Sequence, residues 1–174
     1  MILAVSIHPE RADDRELIAD VNREAFGRDN EARFIDAVRA TPDFVPQLSL
    51  VAVRRREIIG HAMLSRVAVL TDEAFVSALA LAPNAVLPKV QRQGVGSALV
   101  QATLDRAAAL GHRMVFVVGH PNFYPRFGFV PARPLGLEPP FSVPDEVFLV
   151  HELEPGAAAS LRGQVIFPEA FAVL

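Results

Sequence analysis

Hydrophobic and polar positions follow two different periods along the chain, which predicts a fold that mixes helices and strands. Apolar residues three and four positions apart predict two short helices, ending near Phe26 and before Pro42, and an alanine-rich helix over residues 97–110. Asp13 and Glu16 have the spacing of a capping box at the start of the first helix. Runs rich in β-branched residues predict strands over residues 1–7, 48–53, 58–67, 75–82, 114–118, 128–132 and 147–153.

Turn and loop signals connect these elements into one unit. The charged residues 54–57 join two β-rich runs as a hairpin, and Pro83 is predicted to close the strand before it. Residues 133–145 hold four prolines and are predicted as a loop, whereas the tail over 165–174 is apolar enough to pack back on the body. No internal repeat or change of composition divides the chain, so residues 1–174 are interpreted as a single domain.

Composition excludes several classes of protein. The chain of 174 residues is 51% hydrophobic and 21% charged, which is typical of a globular domain. It has no cysteine, which excludes disulfides, thiolate metal sites and a cysteine nucleophile, and its five histidines lack metal-ligand spacing, so no metal is expected. The net charge of −3 argues against nucleic-acid binding. No export signal or apolar run approaching roughly 18 residues is present, so a cytoplasmic protein without a membrane span is expected.

Positive charge is concentrated in one part of this acidic chain. Between Pro88 and Arg133 there are six basic residues and one acid, Asp105. A local excess of this size favours an anionic small-molecule ligand over a polyanion, although it also fits chance clustering.

One segment of that basic region has the pattern of an anion-binding turn. Gln91 to Gly96 joins a strand to a helix, and Gly94 and Gly96 let backbone N–H groups approach a ligand closely. Lys89 and Arg92 could add charge at the same rim. A dinucleotide fingerprint would require a third glycine where Leu99 stands, and the Gly-Lys-Ser/Thr of a P-loop is missing. A glycine pair at a helix start also fits a tight turn with no ligand.

Two spaced motifs resemble the GNAT acetyltransferases. Gln91-x-x-Gly94-x-Gly96 is similar to the Arg/Gln-x-x-Gly-x-Gly/Ala motif of that superfamily. The segment from Tyr124 to Phe129, Tyr-x-Arg-Phe-Gly-Phe, resembles most closely a bacterial subgroup of predicted acetyltransferases, which also shows an early Phe like Phe26 and a C-terminal pair like Phe167 and Phe171. The resemblance therefore covers nearly the whole chain.

The resemblance implies the fold and the coenzyme site. It implies a mixed α/β fold with a mostly antiparallel sheet flanked by helices, which splays where residues 82–86 meet residues 114–118. Acetyl-coenzyme A would lie in the splay, with its pyrophosphate on the loop amides and its pantetheine arm along the preceding strand end. The residues implied to bind the coenzyme are Ala85, Val86, Leu87, Gln91, Arg92, Gln93, Gly94, Val95, Gly96, Ser97, Asn122 and Tyr124.

Few side chains in the sequence are candidates for catalysis. Tyr124 is the only tyrosine and is the candidate general acid for the coenzyme thiolate, because a phenol is protonated at neutral pH. Many relatives carry a glutamate on the strand before the loop, but here Asn84 is the only polar side chain; it could orient a water or the substrate. His120, Glu24 and Glu73 are the available substitutes for a general base.

These residues predict acetyl-CoA-dependent transfer to an amine of a small molecule or protein, by direct attack in a ternary complex. A non-catalytic coenzyme A-binding sensor or partner module is the alternative, supported by the absent strand carboxylate. A longer acyl donor also fits. The acidic remainder of the chain favours a cationic acceptor, and the family habit together with the apolar tail suggests a homodimer.

Overall fold

A sheet of nine strands runs through the computed structural model, which describes residues 4–159 and 161–174. The strands are β1 Ser6–Pro9, β2 Phe44–Arg54, β3 Glu57–Leu70, β4 Phe75–Val86, β5 Met114–Val118, β6 Val130–Pro131, β7 Leu137–Glu138, β8 Phe148–Glu152 and β9 Gly163–Ile166. Their order is β1-β2-β3-β4-β5-β8-β6, while β9 pairs with β3 and β7. The pairs β4–β5 and β7–β9 are parallel and the others antiparallel, which confirms the predicted mixed, mostly antiparallel fold.

Helices cover both faces of the sheet. They are α1 Arg15–Phe26, α2 Asn30–Arg39 and α3 Val95–Ala109. On β3, the His61 ring contacts Asn22 of α1, whereas a side chain at the neighbouring Gly60 would meet Leu99 of α3 at 2.9 Å. Adjacent residues of a strand point to opposite faces, so α1 and α3 pack on opposite sides of the sheet. Gly60 is needed because α3 approaches β3 closely there.

Strand β4 is longer than the sequence predicted. The residue pattern was expected to end it at Ala82, whereas the family resemblance implied a strand over residues 82–86; in the structure it continues through Pro83 to Val86. Pro83 lies where the β3–β4 register shifts, between the pairs Leu64–Leu81 and Ala62–Asn84, so its missing N–H breaks no regular ladder position. The extension places Asn84 on a strand.

Beyond Ala80, strands β4 and β5 separate. They pair only at Leu79–Val115 and Ala80–Phe116. Past these two pairs the end of β4 and the end of β5 border an open gap, as the family resemblance implied. This gap, called the β4–β5 gap below, positions the candidate site.

Other boundaries also differ from the prediction. The first strand was predicted over residues 1–7; the structure has Ser6–Pro9, and residues 1–3 lie outside the described part. Helix α1 begins at Arg15 after a 3₁₀ turn, and its N-cap is Asp14 rather than Asp13, with no capping bond from the side chain. The Asp14 carboxylate instead accepts the Arg11 N–H at 2.8 Å, within the 3₁₀ turn.

Strand β6 is only two residues long because left-handed Gly128 turns the chain before it and a 3₁₀ turn follows it.

The proline-rich region over residues 133–145 is more ordered than a loop. Between residues 133 and 145 lies the short β7. Arg133 holds this region together by donating to the Val143 carbonyl and to the Asp145 carboxylate, each at 2.6 Å.

The C-terminal tail packs back on the body, as predicted. Strand β9 pairs with the end of β3, and a 3₁₀ segment, Glu169–Val173, follows. The Asn30 side chain of α2 donates to the Val173 carbonyl at 2.9 Å. The centroids of the Phe171 and Phe34 rings lie 4.7 Å apart in an edge contact. The tail therefore covers the α2 side of the sheet.

A buried polar chain links α1, α2, β2, β3 and Glu10, the residue after β1. Arg39 donates to the Glu10 carboxylate at 2.6 Å, and the Ser49 hydroxyl donates to the same carboxylate at 3.0 Å. The Ser49 oxygen lies 2.9 Å from Nε2 of His61, whose Nδ1 lies 3.3 Å from the Asn22 amide nitrogen. Because the hydroxyl hydrogen points to Glu10, the pattern fits a neutral His61 protonated on Nε2.

Burial of His61 makes stability depend on pH. Burial first, and the Arg39 charge second, lower the pKa of His61 from 6.5 to about 3. Between these values the unfolded chain holds the extra proton, so the free energy of unfolding should fall as pH falls, by about 1.4 kcal/mol per pH unit in mid-range. Urea unfolding of wild type and His61→Gln at pH 7.5 and 4.5 tests this. The variant should lose less stability on acidification, and an equal loss in both proteins would contradict the assignment.

Candidate active site

The N-terminus of α3 opens beside the β4–β5 gap. The helix begins at Val95, two residues earlier than predicted, and Gly94 is its left-handed N-cap with a φ of +86°. The Ala98 N–H is the first to bond back, to the Gly94 carbonyl at 3.0 Å. Helix geometry therefore leaves the preceding amides, those of Val95, Gly96 and Ser97, without intrahelical partners. They form a positive end suited to an anion.

Gln91 ties this turn to the end of β4. Its side-chain amide donates to the Val86 carbonyl at 3.0 Å. The N–H of Leu87 bonds to the Ile59 carbonyl of β3 at 2.9 Å, and the Ala85 carbonyl also faces β3. Because neighbouring residues of a strand alternate in direction, the Val86 N–H points to the β4–β5 gap. Of the three predicted backbone positions, Val86 alone presents its amide there, and its carbonyl is already bonded.

Tyr124 and Asn84 meet across the gap. Tyr124 is 8% exposed, and Gly119 makes room for it, since a Cβ at that glycine would overlap the ring. Burial raises the pKa of the Tyr124 hydroxyl, and a hydrogen bond with the Asn84 side chain partly offsets the rise. Oδ1 of Asn84 is buried and has no partner among the described residues, and a Cβ at Gly96 would lie 3.7 Å from Nδ2 of Asn84. The phenol, the amide and the start of α3 thus share one corner of the gap.

His120 and Asn122 belong to the turn before Tyr124. Both are exposed. The His120 carbonyl accepts the Phe123 N–H at 3.1 Å, and the Asn122 carbonyl accepts a bond from Arg126 at 3.3 Å. Their backbones shape the turn, and their side chains stay exposed.

The two candidate carboxylates, Glu73 and Glu24, lie in different parts of the fold. Glu73 is exposed in the turn before β4, eleven residues from Asn84, which is on the order of 30 Å along an extended strand. Glu24 is exposed on α1 and lines a shallow pocket with Arg56 and Leu87. Glu73 therefore lies near the opposite end of β4 from Asn84, which argues against it as the base, and Glu24 as the base stays a prediction.

Ion pairs reduce the predicted basic excess. Lys89 pairs with Glu57 at 2.6 Å, and Arg133 pairs with Glu138 and Asp145. Arg113 likewise pairs with Glu154. Lys89 thus adds less charge to the glycine turn than expected, because a carboxylate neutralises it.

Arg54 is a rim residue that the sequence did not indicate. Its Nη1 lies 3.4 Å from Oε1 of Gln93, which brings the β2–β3 hairpin tip to the glycine turn. The two residues are 39 positions apart, so no local pattern could have paired them. Arg54 supplements Arg92 beside the free amides.

An apolar cavity of about 570 Å³ adjoins the gap. It is lined by residues 80–82 of β4, by the end of β5, by the proline-rich region and by the tail. The lining residues are Ala80, Leu81, Ala82, Val117, Val118, Pro140, Phe141, Phe167, Pro168, Glu169, Phe171, Ala172 and Leu174. The sequence did not predict it, because its walls come from four separated segments.

Within the described ranges, no group of His, Cys, Asp or Glu could hold a metal ion. None of the helices in residues 4–159 and 161–174 is long and apolar enough to span a bilayer.

Known proteins decide the family. A family profile described as an acetyltransferase (GNAT) domain matches residues 6–132. The uncharacterized N-acetyltransferase YjhQ of Escherichia coli strain K12 is 32% identical over 142 residues, covering 81% of this chain and 78% of that protein. This chain belongs to the GNAT acetyltransferase family. It is therefore an acetyl-CoA-dependent N-acetyltransferase, as its motifs predicted.

Solved GNAT structures share the whole architecture. YhbS from Escherichia coli in complex with CoA superposes with a TM-score of 0.90 at 29% identity, over 98% of this chain and 93% of that one. A GNAT acetyltransferase from Brucella melitensis in complex with acetyl-CoA gives a TM-score of 0.79 at 27% identity, over 97% and 99%. The similarity thus includes the tail that lines the apolar cavity.

Proposed function

We propose that this GNAT enzyme binds acetyl-CoA in the β4–β5 gap and passes the acetyl group directly to an amine of a small molecule or protein. The observation that carries this assignment is the convergence of the free amides at the start of α3, the Val86 N–H and the Tyr124 hydroxyl on one gap. An extended cofactor with an anionic end and a thioester at the other end fits this order.

The residues present suit that cofactor. The amides of Val95, Gly96 and Ser97 would hold the pyrophosphate, with Arg92 and Arg54 at the rim. Gly94 leaves open space where a side chain would stand. The buried, unpartnered Oδ1 of Asn84 would accept a bond from an amide N–H of the pantetheine arm.

Two groups of this chain would act on different atoms of the thioester, one on the carbonyl oxygen and one on the sulfur. The bound thioester supplies an activated acetyl group: the amine lone pair forms the C–N bond, the C–S bond breaks, and sulfur keeps the electron pair. The Val86 N–H would stabilise negative charge on the carbonyl oxygen. The Tyr124 hydroxyl would give its proton to the sulfur and regain one from solvent, which receives the proton lost by the amine.

Tyr124 suits the acid role because its hydroxyl stays protonated when it is needed. Burial raises its pKa above the ordinary value, so the proton is present throughout the neutral range. No carboxylate lies on β4 from Ala80 to Val86, so we propose that the amine loses its proton to water, with Asn84 or the exposed His120 orienting that water.

Coenzyme binding and turnover test the proposal separately. Calorimetric titration of coenzyme A should show one saturable site per chain, and release of free thiol from acetyl-CoA should accelerate when suitable amines are added. Absence of binding would remove the site assignment. Binding without transfer to any primary amine or protein amine would instead favour a coenzyme-binding sensor.

A further inference from the structure

The apolar cavity lies where an acceptor would approach the thioester. Its strand walls, residues 80–82 of β4 together with Val117 and Val118 of β5, are those at which the two strands part. The opposite wall is the tail, whose Phe171 packs on Phe34 of α2. The cavity therefore opens to the gap beside the tail and α2, whereas the free amides of α3 approach from the other face of the sheet.

Exposed aromatic and aliphatic side chains surround this cavity. Phe141 is 42% exposed and Val118 is 46% exposed, although both are large and apolar. The centroids of the Phe141 and Phe167 rings lie 5.7 Å apart, so the two rings form one continuous apolar wall. Apolar side chains left open around a cavity of about 570 Å³ are typical of a small-molecule site with an apolar ligand.

Glu169 gives the cavity its charge. It carries the only charged side chain in the lining, that side chain is exposed, and it makes no ion pair or side-chain hydrogen bond with any residue the structure describes. An anionic rim on apolar walls is complementary to a cation with an apolar body. It disfavours the alternative that the cavity holds a long acyl chain, which carries no positive charge.

We propose that the acceptor is a small primary amine attached by a short linker to an aromatic or similarly bulky apolar group. This inference rests on the proposed function. The apolar group packs against Phe141 and Phe167, Glu169 attracts the ammonium form as it enters, and the neutral amine reacts in the gap. Glu169 is a binding residue for the acceptor and takes no part in holding coenzyme A.

Binding to the coenzyme-loaded protein is the first test. 2-Phenylethylamine, titrated into protein saturated with coenzyme A and followed by ligand-observed NMR, should bind saturably. Phe141→Ala should weaken this binding by about threefold to tenfold, the loss expected for one aromatic contact. Phe75→Ala is the matched control, because Phe75 is 69% exposed outside the cavity lining. It should bind as wild type does.

Kinetics separate the roles of charge and apolar surface. Glu169→Gln should raise the KM for 2-phenylethylamine by up to about fivefold with little change in kcat. Glu146→Gln, an exposed carboxylate outside the lining, should change neither. Ethanolamine and spermidine, which lack an apolar body, should have higher KM values than 2-phenylethylamine, and Phe141→Ala should leave those values unchanged.

Several results would contradict the inferred acceptor class without contradicting the proposed function. They are saturable coenzyme A binding without amine binding, a lower KM for spermidine than for 2-phenylethylamine, or equal effects of the paired variants. Faster turnover of hexanoyl-CoA than acetyl-CoA, lost in Phe141→Ala, would assign the cavity to the acyl chain. Failure of the proposed function is distinguishable, because coenzyme A itself would not bind.

Discussion

Replacement of Gly94 by valine is expected to raise the dissociation constant of coenzyme A by about tenfold or more. Gly94 has a φ of +86° and ends the turn that presents the free amides of α3. A β-branched residue is strained there by roughly 1–3 kcal/mol, and 1.4 kcal/mol corresponds to tenfold in affinity. The turn would relax by moving those amides. The cause is the backbone, since a Cβ at Gly94 would meet no atom within 4 Å.

Gly111 provides a matched control for that substitution. It follows the other end of α3 with a φ of +85°, and a Cβ there would also find open space. Gly111→Val should therefore lose similar stability in urea unfolding while binding coenzyme A as wild type does in calorimetry. If both variants bind coenzyme A equally well, the turn before α3 is not the phosphate site.

Replacement of Tyr124 by phenylalanine is expected to lower kcat by about 100-fold or more, the usual contribution of a general acid. The ring would keep its packing against Phe129 and Phe123, so the variant should fold and bind coenzyme A normally. Steady-state rates with acetyl-CoA and a reactive amine, together with coenzyme titration, separate the two effects. Unchanged turnover would remove Tyr124 from the mechanism.

The pH dependence of the wild-type enzyme adds an independent check on Tyr124. Burial raises the pKa of its hydroxyl above the ordinary value of 10.0, so the acid stays protonated through the neutral and mildly alkaline range. kcat should therefore show no decline attributable to loss of an acid between about pH 7 and 9.5. A decline over that range in wild type, with a flat profile in Tyr124→Phe, would contradict the raised pKa.

Local patterns predicted most helices and strands, because the hydrophobic periodicity of each is a property of consecutive residues. The hairpin of β2 and β3, the helix α3 and the buried strand β5 were found at nearly their observed positions. The family motifs also pointed to the gap, because the strand–turn–helix order around Gly94 is local. Prediction was wrong where a distant neighbour decides the outcome: Pro83 is accommodated within β4 because β3 shifts its register opposite it.

In the candidate site, too, local features could be predicted from the sequence and contacts between distant segments could not. Gln91, Gly94 and Gly96 were identifiable in advance, since a turn that frees amides needs residues without side-chain conflict at fixed spacing. The pairing of Lys89 with Glu57 and the approach of Arg54 to Gln93 could not be read from the chain. Both depend on how the β2–β3 hairpin lies against the turn before α3.

The amino-acid sequence alone pointed to a mixed α/β fold of the GNAT type, with a turn before α3 suited to an anion and one phenol as candidate acid. The turn and the phenol follow from backbone freedom and residue chemistry, which act over a few neighbouring positions, whereas the GNAT fold was implied by the resemblance of two local motifs to that family. The tertiary structure alone decided that the Val86 amide, the Asn84 side chain and Tyr124 share one gap, and that Phe141, Phe167 and Glu169 border a cavity opening to it. Strand pairing and tail packing bring such groups together from distant segments, and no local pattern encodes that proximity.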